Sequence, residues 1–231
     1  MPVRAIIFDL DGTIADTEPL HLEAFNTVLR AEGIEIPRDD YFSRLIGCDD
    51  RDCFKSVLQE HDRPADGAIL AALIERKAEV YQGIIEGREV VFPGAVDFVR
   101  SCAERFPLAL VTGTLRVEAE TILRNAGIRE LFADIVAAED VEHGKPAPDG
   151  FAMALGRLGF ILRPRPSITA GECLAIEDTA AGVEAARGAG MRVLAICHSG
   201  TPERLTKADI VRQSLRETDL DEVLQRLAAL A

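Results

Sequence analysis

The sequence lacks an excess of positive charge. Its 26 lysine and arginine residues are outnumbered by 39 aspartate and glutamate residues, so the formal net charge is -13 at pH 7. Nucleic acids and anionic membranes are bound through positively charged surfaces, and this balance therefore argues against both as partners. An acidic chain can still bind a phosphorylated molecule where a metal ion and a few basic side chains make one site locally positive.

The sequence also lacks a cysteine framework and a membrane-length segment at its start. The cysteines, which show neither a CxxC pair nor a zinc-ligand spacing, are Cys48, Cys53, Cys102, Cys173 and Cys197. An odd set without such spacing predicts reduced thiols. The apolar run of residues 1–10 is interrupted at Asp9, which makes it too short for a membrane span and unlike a signal peptide. We therefore expect a cytoplasmic protein.

Short apolar segments are present instead, and helical patterns separate most of them. The segments lie at residues 5–10, 108–112, 134–137, 173–176 and 192–196. Continuous apolar runs such as Ala-Ile-Ile-Phe suit strands that are buried on both faces. Strands that alternate with helices indicate a parallel sheet with helices on both sides. We therefore predict an α/β fold with a Rossmann-like parallel sheet covered by helices.

One long interval interrupts this alternation. Residues 16–88 contain helical patterns, for example at residues 69–85, but no convincing strand. The tripeptide Phe92-Pro93-Gly94 is a chain-reversal signal and suits a hinge at which the chain returns to the sheet. We predict an inserted helical domain of residues 16–88 and a catalytic core made of residues 1–15 and 89–231.

Polar side chains follow the predicted strands at the sheet edge where open parallel sheets bind ligands. The residues at or beyond these strand ends are, in chain order, Asp9, Asp11, Gly12, Thr112, Gly113, Lys145, Glu177 and Asp178. Asp9 and Asp11 are two apart, so an extended chain directs both side chains to the same side. Four carboxylates that converge on one crevice repel one another unless a cation lies among them. Oxygen-rich ligands of this kind suit Mg²⁺.

This set of residue types predicts phosphoryl transfer. A carboxylate beside a metal can attack phosphorus and form an aspartyl-phosphate, while a second carboxylate acts as acid and base. Lys145 would neutralise charge on the transferred group, and Thr112 with nearby backbone amides would hydrogen-bond its oxygens. Each signal is common on its own, but the signals occur together at successive strand ends in a consistent order.

Four segments also resemble the motifs of a known family. They are Phe8-Asp9-Leu10-Asp11-Gly12-Thr13, Val111-Thr112-Gly113-Thr114, Gly144-Lys145-Pro146-Ala147-Pro148-Asp149 and Ile176-Glu177-Asp178-Thr179. These segments are similar to the four motifs of the haloacid dehalogenase superfamily, in particular its phosphatase and β-phosphoglucomutase-like branch. The interval of residues 16–88 falls where that branch carries a helical cap.

The resemblance implies a role for each motif residue. Asp9 would be the nucleophile, Asp11 the general acid and base, and Thr112 and Lys145 the phosphate contacts. Mg²⁺ would be held by Asp9, the Asp11 backbone carbonyl and Asp178, with Glu177 helping through water. The true dehalogenases of the superfamily lack the second aspartate of the first motif, so Asp11 argues for phosphoryl chemistry.

The resemblance extends to substrate-binding residues outside the core positions. His21 lies where β-phosphoglucomutase-like members place a histidine at the hinge, and Lys77 resembles a cap lysine that reaches the active site. Gly47 lies in a stretch that resembles a substrate-specificity loop. Arg116 could meet a distal phosphate or carboxylate. For His21, Lys77 and Arg116, a solvent-facing position on a helix is the alternative.

Three functional hypotheses remain open on this basis. The first is hydrolysis of a small phosphorylated metabolite such as a sugar phosphate, a sugar bisphosphate or phosphoglycolate. The second is a β-phosphoglucomutase reaction, which His21 and Lys77 favour, whereas Ile46 in place of a lysine and the later position of Arg51 do not. The third is a binding module without activity, which the intact pair of aspartates in the first motif disfavours. We expect a monomer or a weak dimer.

Overall fold

A computed structural model describes most of the chain as two compact units. The described residues are 2–46, 48, 50–162, 167–198 and 201–230. The core unit comprises Met1–Asp16 and Glu89–Ala231, and the inserted unit comprises Thr17–Arg88. Asp16, which the sequence analysis assigned to the insertion, groups with the core unit. Its amide donates a hydrogen bond to the carbonyl of Val90 at 2.8 Å, which ties it to that unit.

The core unit is built on a parallel sheet. Its strands are β1 (Ala5–Phe8), β2 (Leu108–Val111), β3 (Phe132–Val136), β4 (Cys173–Glu177), β5 (Arg192–Ile196) and β6 (Ile210–Arg212). The strand order is β3-β2-β1-β4-β5-β6, and each neighbouring pair is parallel. This arrangement confirms the predicted α/β fold class. β6 was not predicted, because two apolar residues followed by an arginine leave too short an apolar signal in the sequence.

The inserted unit consists of helices around its own apolar core. They are α1 (Glu18–Leu29), α2 (Arg38–Asp40), which continues into a π-helical turn (Tyr41–Leu45), α3 (Asp50–Glu60) and α4 (Gly67–Ile85). Asp66 caps α4 by accepting hydrogen bonds from the amides of Ala68 and Ile69. Phe25 and Phe54 pack edge to face in this core, with ring centroids 4.9 Å apart.

Helices cover both faces of the sheet in the core unit. They are α5 (Ala95–Ala103), α6 (Arg116–Asn125), α7 (Asp149–Ile161), α8 (Ala180–Gly188) and α9 (Leu220–Ala229). On one face, Phe151 of α7 packs in the same buried cluster as Ile7 of β1. On the other face, Phe98 of α5 contacts Phe8 of β1 edge to face at 6.4 Å. Burial of each such side chain contributes about 1.5–3 kcal/mol to stability.

Two further observations concern predictions made from composition. Each of the five cysteines, all of which lie within the described residues, is a free thiol. Over the same part of the chain, no helix combines the length and the apolar character that a membrane span requires.

Candidate active site

The first strand places two aspartates at the middle of the sheet. The amide of Asp9 donates to the carbonyl of Ile176 in β4 at 2.9 Å, which extends the sheet contact one residue past β1. The chain then turns tightly, and the amides of Ile14 and Ala15 both donate to the carbonyl of Leu10 at 2.8 and 2.9 Å. Gly12 adopts a φ of 79° in this turn, a left-handed conformation that favours glycine.

The sheet topology explains why the catalytic candidates converge here. β1 lies between β2 and β4, and the chain runs outward through β2 and β3 before it returns to β4. Ligands of open parallel sheets bind beyond the carboxyl ends of strands at such a reversal point. Asp9, Thr112 and Glu177 stand at the ends of these three adjacent strands.

A buried acidic cluster lies at this point. Asp9, Glu177 and Asp178 are all buried, and one carboxylate oxygen from each lies within 4.8 Å of the others. The Nζ atom of Lys145 is 2.5 Å from Asp9 Oδ1 and 2.5 Å from Glu177 Oε1. It also donates to the carbonyl of Val111 at 3.2 Å. The lysine is thus held between the ends of β1, β2 and β4.

The electrostatics of this cluster are unbalanced. Burial raises the pKa of Asp9 to about 8, with Lys145 opposing the shift and Glu177 and Asp11 adding to it. Burial alone would lower the pKa of Lys145, but Asp9 and Glu177 together raise it above its ordinary value. One lysine cannot neutralise three buried carboxylates. The surplus negative charge and the carboxylate-oxygen donor set fit a divalent cation.

Glu177 is anchored by the turn that leads into α8. Its Oε2 atom accepts hydrogen bonds from the amides of Asp178 and Thr179 at 2.9 and 3.0 Å, and from the Thr179 hydroxyl at 3.0 Å. A Cβ atom added at Gly182 would lie 1.8 Å from Glu177 Oε1, so this position accepts only glycine without a shift. Thr13 donates its hydroxyl to Asp178 Oδ1 at 3.3 Å. Both acidic residues are therefore held by specific contacts.

Asp11 lies in a separate hydrogen-bond group at the end of β2. Its Oδ2 atom accepts hydrogen bonds from the hydroxyls of Thr112 at 3.0 Å and Thr114 at 2.7 Å. The amide of Thr114 in turn donates to the Thr112 hydroxyl at 3.0 Å. Both threonines are buried, whereas Gly113 between them is exposed.

The structure brings most of the predicted core residues together, but Arg116 is engaged elsewhere. Asp9, Lys145, Glu177 and Asp178 form one contiguous cluster. Arg116 begins α6, where its Nη2 atom donates to the carbonyl of Ile135 at 2.9 Å and forms an ion pair with Asp140. Arg116 therefore contacts β3 and the segment that follows it, and its role in substrate binding stays a prediction. Its sequence position gave no indication of that pairing.

In the inserted unit, Lys77 is buried rather than solvent-facing. Its Nζ atom lies 2.8 Å from Asp50 Oδ1 and 2.9 Å from His21 Nδ1, and the side chain is only 2% exposed. The rings of Phe25 and Tyr81 each lie 5.0 Å from the Nζ atom. His21 also stacks on Tyr81 with ring centroids 4.1 Å apart. Gly47, the remaining predicted cap residue, lies outside the described residues.

Several residues that contact the predicted ones have no role assigned from the sequence. Thr114 follows Thr112 by two, and the same spacing that linked Asp9 to Asp11 could have identified it. Asp50 has no local signal that predicts its pairing with Lys77, because the two residues are far apart in the chain. Thr13 and Thr179, which belong to the first and fourth motifs, and Gly182 were also given no role from the sequence.

Comparison with known proteins agrees with this geometry. The haloacid dehalogenase-like hydrolase family model matches residues 3–190. Protein CbbY of Rhodobacter capsulatus is 32% identical over 218 residues, which cover 90% of this chain and 89% of that protein. The fructose-1-phosphate phosphatase YqaB of Escherichia coli (strain K12) is 34% identical over 186 residues, covering 80% and 92% respectively.

A solved structure shows the same fold. The crystal structure of CbbY from Rhodobacter sphaeroides in complex with phosphate is similar with a TM-score of 0.80 and 28% sequence identity. The similarity covers 93% of this chain and 96% of that chain. The match of the family model to most of the chain, together with these relatives, establishes that the chain belongs to the haloacid dehalogenase-like hydrolase family.

Proposed function

We propose that this protein is a Mg²⁺-dependent phosphatase that hydrolyses a small phosphorylated metabolite through an aspartyl-phosphate on Asp9. The observation that carries the proposal is the position of Asp9 at the reversal point of the sheet. There it is buried, contacts Lys145 at 2.5 Å and shares an acidic cluster with Glu177 and Asp178. A carboxylate suited to act as nucleophile, a lysine and an acidic cluster that suits a cation thus lie at one place.

The relatives support a phosphorylated sugar as the substrate class. YqaB is named a fructose-1-phosphate phosphatase, and a CbbY relative was crystallised with phosphate. Sugar phosphates therefore stand first among the candidates, followed by sugar bisphosphates and phosphoglycolate-like acids. The reacting phosphoryl group is common to all of these, so the core residues serve each of them alike.

Asp9 attacks phosphorus as a carboxylate. Burial raises the pKa of Asp9 to about 8, so burial disfavours the ionised carboxylate that the attack requires. Bound Mg²⁺ supplies positive charge that favours the ionised carboxylate and offsets the charge of the phosphoryl oxygens. Asp9, the Asp11 carbonyl and Asp178 would hold the ion, and Glu177 would contribute through water. Lys145 offers Asp9 a second positive partner that belongs to the chain itself.

Asp11 moves the protons of the two steps. In the first step, an Asp9 oxygen bonds to phosphorus while the bond to the leaving oxygen breaks, and Asp11 gives that oxygen a proton. In the second step, water attacks the phosphorus of the aspartyl-phosphate, Asp11 takes the water's proton, and inorganic phosphate leaves as Asp9 is restored. Lys145, Thr112 and the exposed backbone at Gly113 would bind the phosphoryl oxygens during both steps.

The test compares the wild type with Asp9→Asn, which preserves shape but removes the nucleophilic carboxylate. Both are incubated with and without Mg²⁺ on a panel of sugar phosphates, sugar bisphosphates and phosphoglycolate, with Asp39→Asn as a control at an exposed aspartate. We expect Mg²⁺-dependent phosphate release by the wild type and the control, and none by Asp9→Asn. Phosphate release that survives in Asp9→Asn would contradict the proposed mechanism.

The same assay separates two alternatives. The resemblance of His21 and Lys77 to residues of β-phosphoglucomutase-like proteins is what favours a β-phosphoglucomutase reaction, and in the structure these two residues contact each other at 2.9 Å within the inserted unit. Conversion of β-glucose 1-phosphate to glucose 6-phosphate faster than phosphate release would support that reaction. If neither the wild type nor its variants release phosphate or trap a phosphate mimic with Mg²⁺, a binding module without activity would be favoured. The cytoplasmic location and the monomeric or weakly dimeric state stay predictions.

A further inference from the structure

The hydroxyl of Thr114 contacts the proposed acid and base directly. In the core unit, it donates to Asp11 Oδ2 at 2.7 Å, and the Thr112 hydroxyl donates to the same oxygen at 3.0 Å. Thr114 is only 7% exposed, so solvent does not readily replace this contact. One carboxylate oxygen of Asp11 is thus held by two hydroxyl donors from the end of β2.

The two hydroxyls differ in the other hydrogen bonds that they must make. A threonine hydroxyl has a single proton to donate. In the structure, Thr112 gives this proton to Asp11 while its oxygen accepts the amide N–H of Thr114 at 3.0 Å. A hydroxyl in this arrangement cannot also donate to a phosphoryl oxygen. When Thr112 binds the phosphoryl group, it must therefore release Asp11.

The backbone of Thr114 makes two hydrogen bonds, and one of them is independent of Thr112. Its amide donates to the Thr112 hydroxyl, and its carbonyl accepts the amide N–H of Ala138 at 3.1 Å. The second contact ties Thr114 to the segment that follows β3. The contact with Ala138 does not depend on Thr112 and does not use the Thr114 side chain, so the Thr114 hydroxyl remains available to Asp11 when the Thr112 hydroxyl turns away.

We propose that Thr114 is a positioning residue that holds the Asp11 carboxylate while Thr112 turns to the phosphoryl group. The inference rests on the proposed phosphatase function, in which Asp11 protonates the leaving oxygen. Loss of the Thr114 hydroxyl would remove a donor from Asp11 at the moment when Thr112 leaves it. A misoriented acid transfers its proton poorly, whereas attack by Asp9 on phosphorus is unaffected.

This role predicts a dependence on the leaving group. A sugar alkoxide needs a proton as it leaves, but p-nitrophenolate leaves without one. A defect confined to Asp11 should therefore lower kcat/KM, which reports the first step, for a sugar phosphate and spare kcat/KM for p-nitrophenyl phosphate. The second step, in which Asp11 acts as the base, is common to both substrates and contributes to kcat instead. A residue that binds the phosphoryl group itself would affect both substrates equally, because both carry the same group.

The experiment uses the full chain with Mg²⁺ and measures kcat/KM on both substrates, together with the melting temperature. Thr114→Val keeps the shape and removes the donor, and Thr114→Ser keeps the hydroxyl. Thr121→Val is the matched control, because Thr121 is a half-buried residue of α6 whose hydroxyl donates to the Val117 carbonyl at 2.8 Å.

We expect Thr114→Val to lower kcat/KM for the sugar phosphate by up to about ten-fold, the effect of one lost hydrogen bond to the neutral carboxyl group that acts as the acid. Its kcat/KM for p-nitrophenyl phosphate should stay close to that of the wild type. Thr114→Ser should restore the sugar-phosphate activity, and Thr121→Val should change neither substrate. If Thr114→Val does not fold, Thr114→Ala is compared with Thr114→Ser on the same two substrates.

Several results would overturn the inference. Equal losses on both substrates would make Thr114 a phosphoryl ligand, and a lower melting temperature with unchanged kinetics would make its role purely structural. Failure of Thr114→Ser to restore activity would show that the methyl group, not the hydroxyl, matters. If the wild type hydrolyses neither substrate, both the proposed function and this inference are rejected. If the wild type hydrolyses both and Thr114→Val matches it, only the role of Thr114 is rejected.

Discussion

At the scale of single residues, Glu177 is held so closely that its surroundings admit no larger neighbour. One carboxylate oxygen accepts the amides of Asp178 and Thr179 at 2.9 and 3.0 Å, and the other lies 2.5 Å from Lys145. The Cα atom of Gly182 lies so close to this carboxylate that a methyl group attached to it would not fit. Because glycine has no side chain, Gly182 leaves room for Glu177 to lie beside Lys145.

Gly182→Ala should therefore destabilise the protein although alanine normally favours a helix over glycine. The added methyl would force Glu177 to move, and overpacking of this kind costs about 1–3 kcal/mol. We also expect lower phosphatase activity, because the movement separates Glu177 from Lys145. The free energy of unfolding in urea and the rate of phosphate release would measure both effects.

Gly156→Ala is the control for this substitution. Gly156 is an exposed residue within α7, and a Cβ atom there meets nothing within 4 Å. Its replacement should be neutral or stabilise by up to about 1 kcal/mol. Indistinguishable unfolding curves and rates for the two variants would refute the packing argument at Gly182.

At the scale of elements, a buried polar cluster links three helices of the inserted unit. Lys77 lies on α4, Asp50 begins α3, and His21 lies on α1. The Lys77 ammonium is almost fully buried, whereas the side chain of Asp50 is 31% exposed. A buried charge is costly to leave without a partner, so the pair ties α3 to α4 more firmly than a surface pair would.

Asp50→Asn should destabilise the inserted unit by about 1–3 kcal/mol, less than for a fully buried pair because Asp50 is partly exposed. The double variant Asp50→Asn with Lys77→Met should recover part of this loss, because it removes the stranded charge. Asp40→Asn serves as the control, since its partner Arg44 is exposed and such pairs contribute below about 1 kcal/mol. Denaturant unfolding would measure all of these variants.

A loss for Asp50→Asn no larger than that for Asp40→Asn would contradict this account of the cluster. A double variant that is less stable than Asp50→Asn would contradict it as well. Either result would show that His21 and the rings of Phe25 and Tyr81 stabilise the Lys77 ammonium without the Asp50 carboxylate.

At the scale of the whole molecule, the acidic cluster links folding to pH and to metal. The pKa of Asp9 is about 8 in the folded protein, against an ordinary value of 3.8. Between these values the folded state holds a proton that the unfolded chain has released. Folding between these values therefore requires the uptake of a proton. As a result, the contribution of Asp9 to the free energy of unfolding is fully present below the ordinary value and is lost as the pH rises through about 8.

Asp9→Asn should lack this pH dependence. In metal-free buffer, we expect the stability of Asp9→Asn relative to the wild type to increase as the pH rises toward about 8 and then to level off. Saturating Mg²⁺ should stabilise the wild type and suppress the dependence, because the cation favours the ionised carboxylate. Melting temperatures measured with EDTA or Mg²⁺ across the pH range would test this. A difference that does not change with pH would count against the raised pKa of Asp9.

The sequence by itself determined the fold class and the set of residues at the strand ends. Buried parallel strands have a strong local pattern, and their carboxyl ends must meet at one edge of the sheet. That rule was enough to place Asp9, Thr112, Lys145, Glu177 and Asp178 in one region, which the structure then shows as direct contacts or as neighbouring strand ends.

Only the tertiary structure decided which polar groups pair. Arg116 is engaged with Asp140, Lys77 with Asp50, and Thr114 with Asp11. The residues of each pair are distant in the chain, so no local period connects them. The partner of a charge depends on which groups folding brings within a few ångströms and on how far burial removes them from water. Neither quantity is defined before the helices and strands have packed.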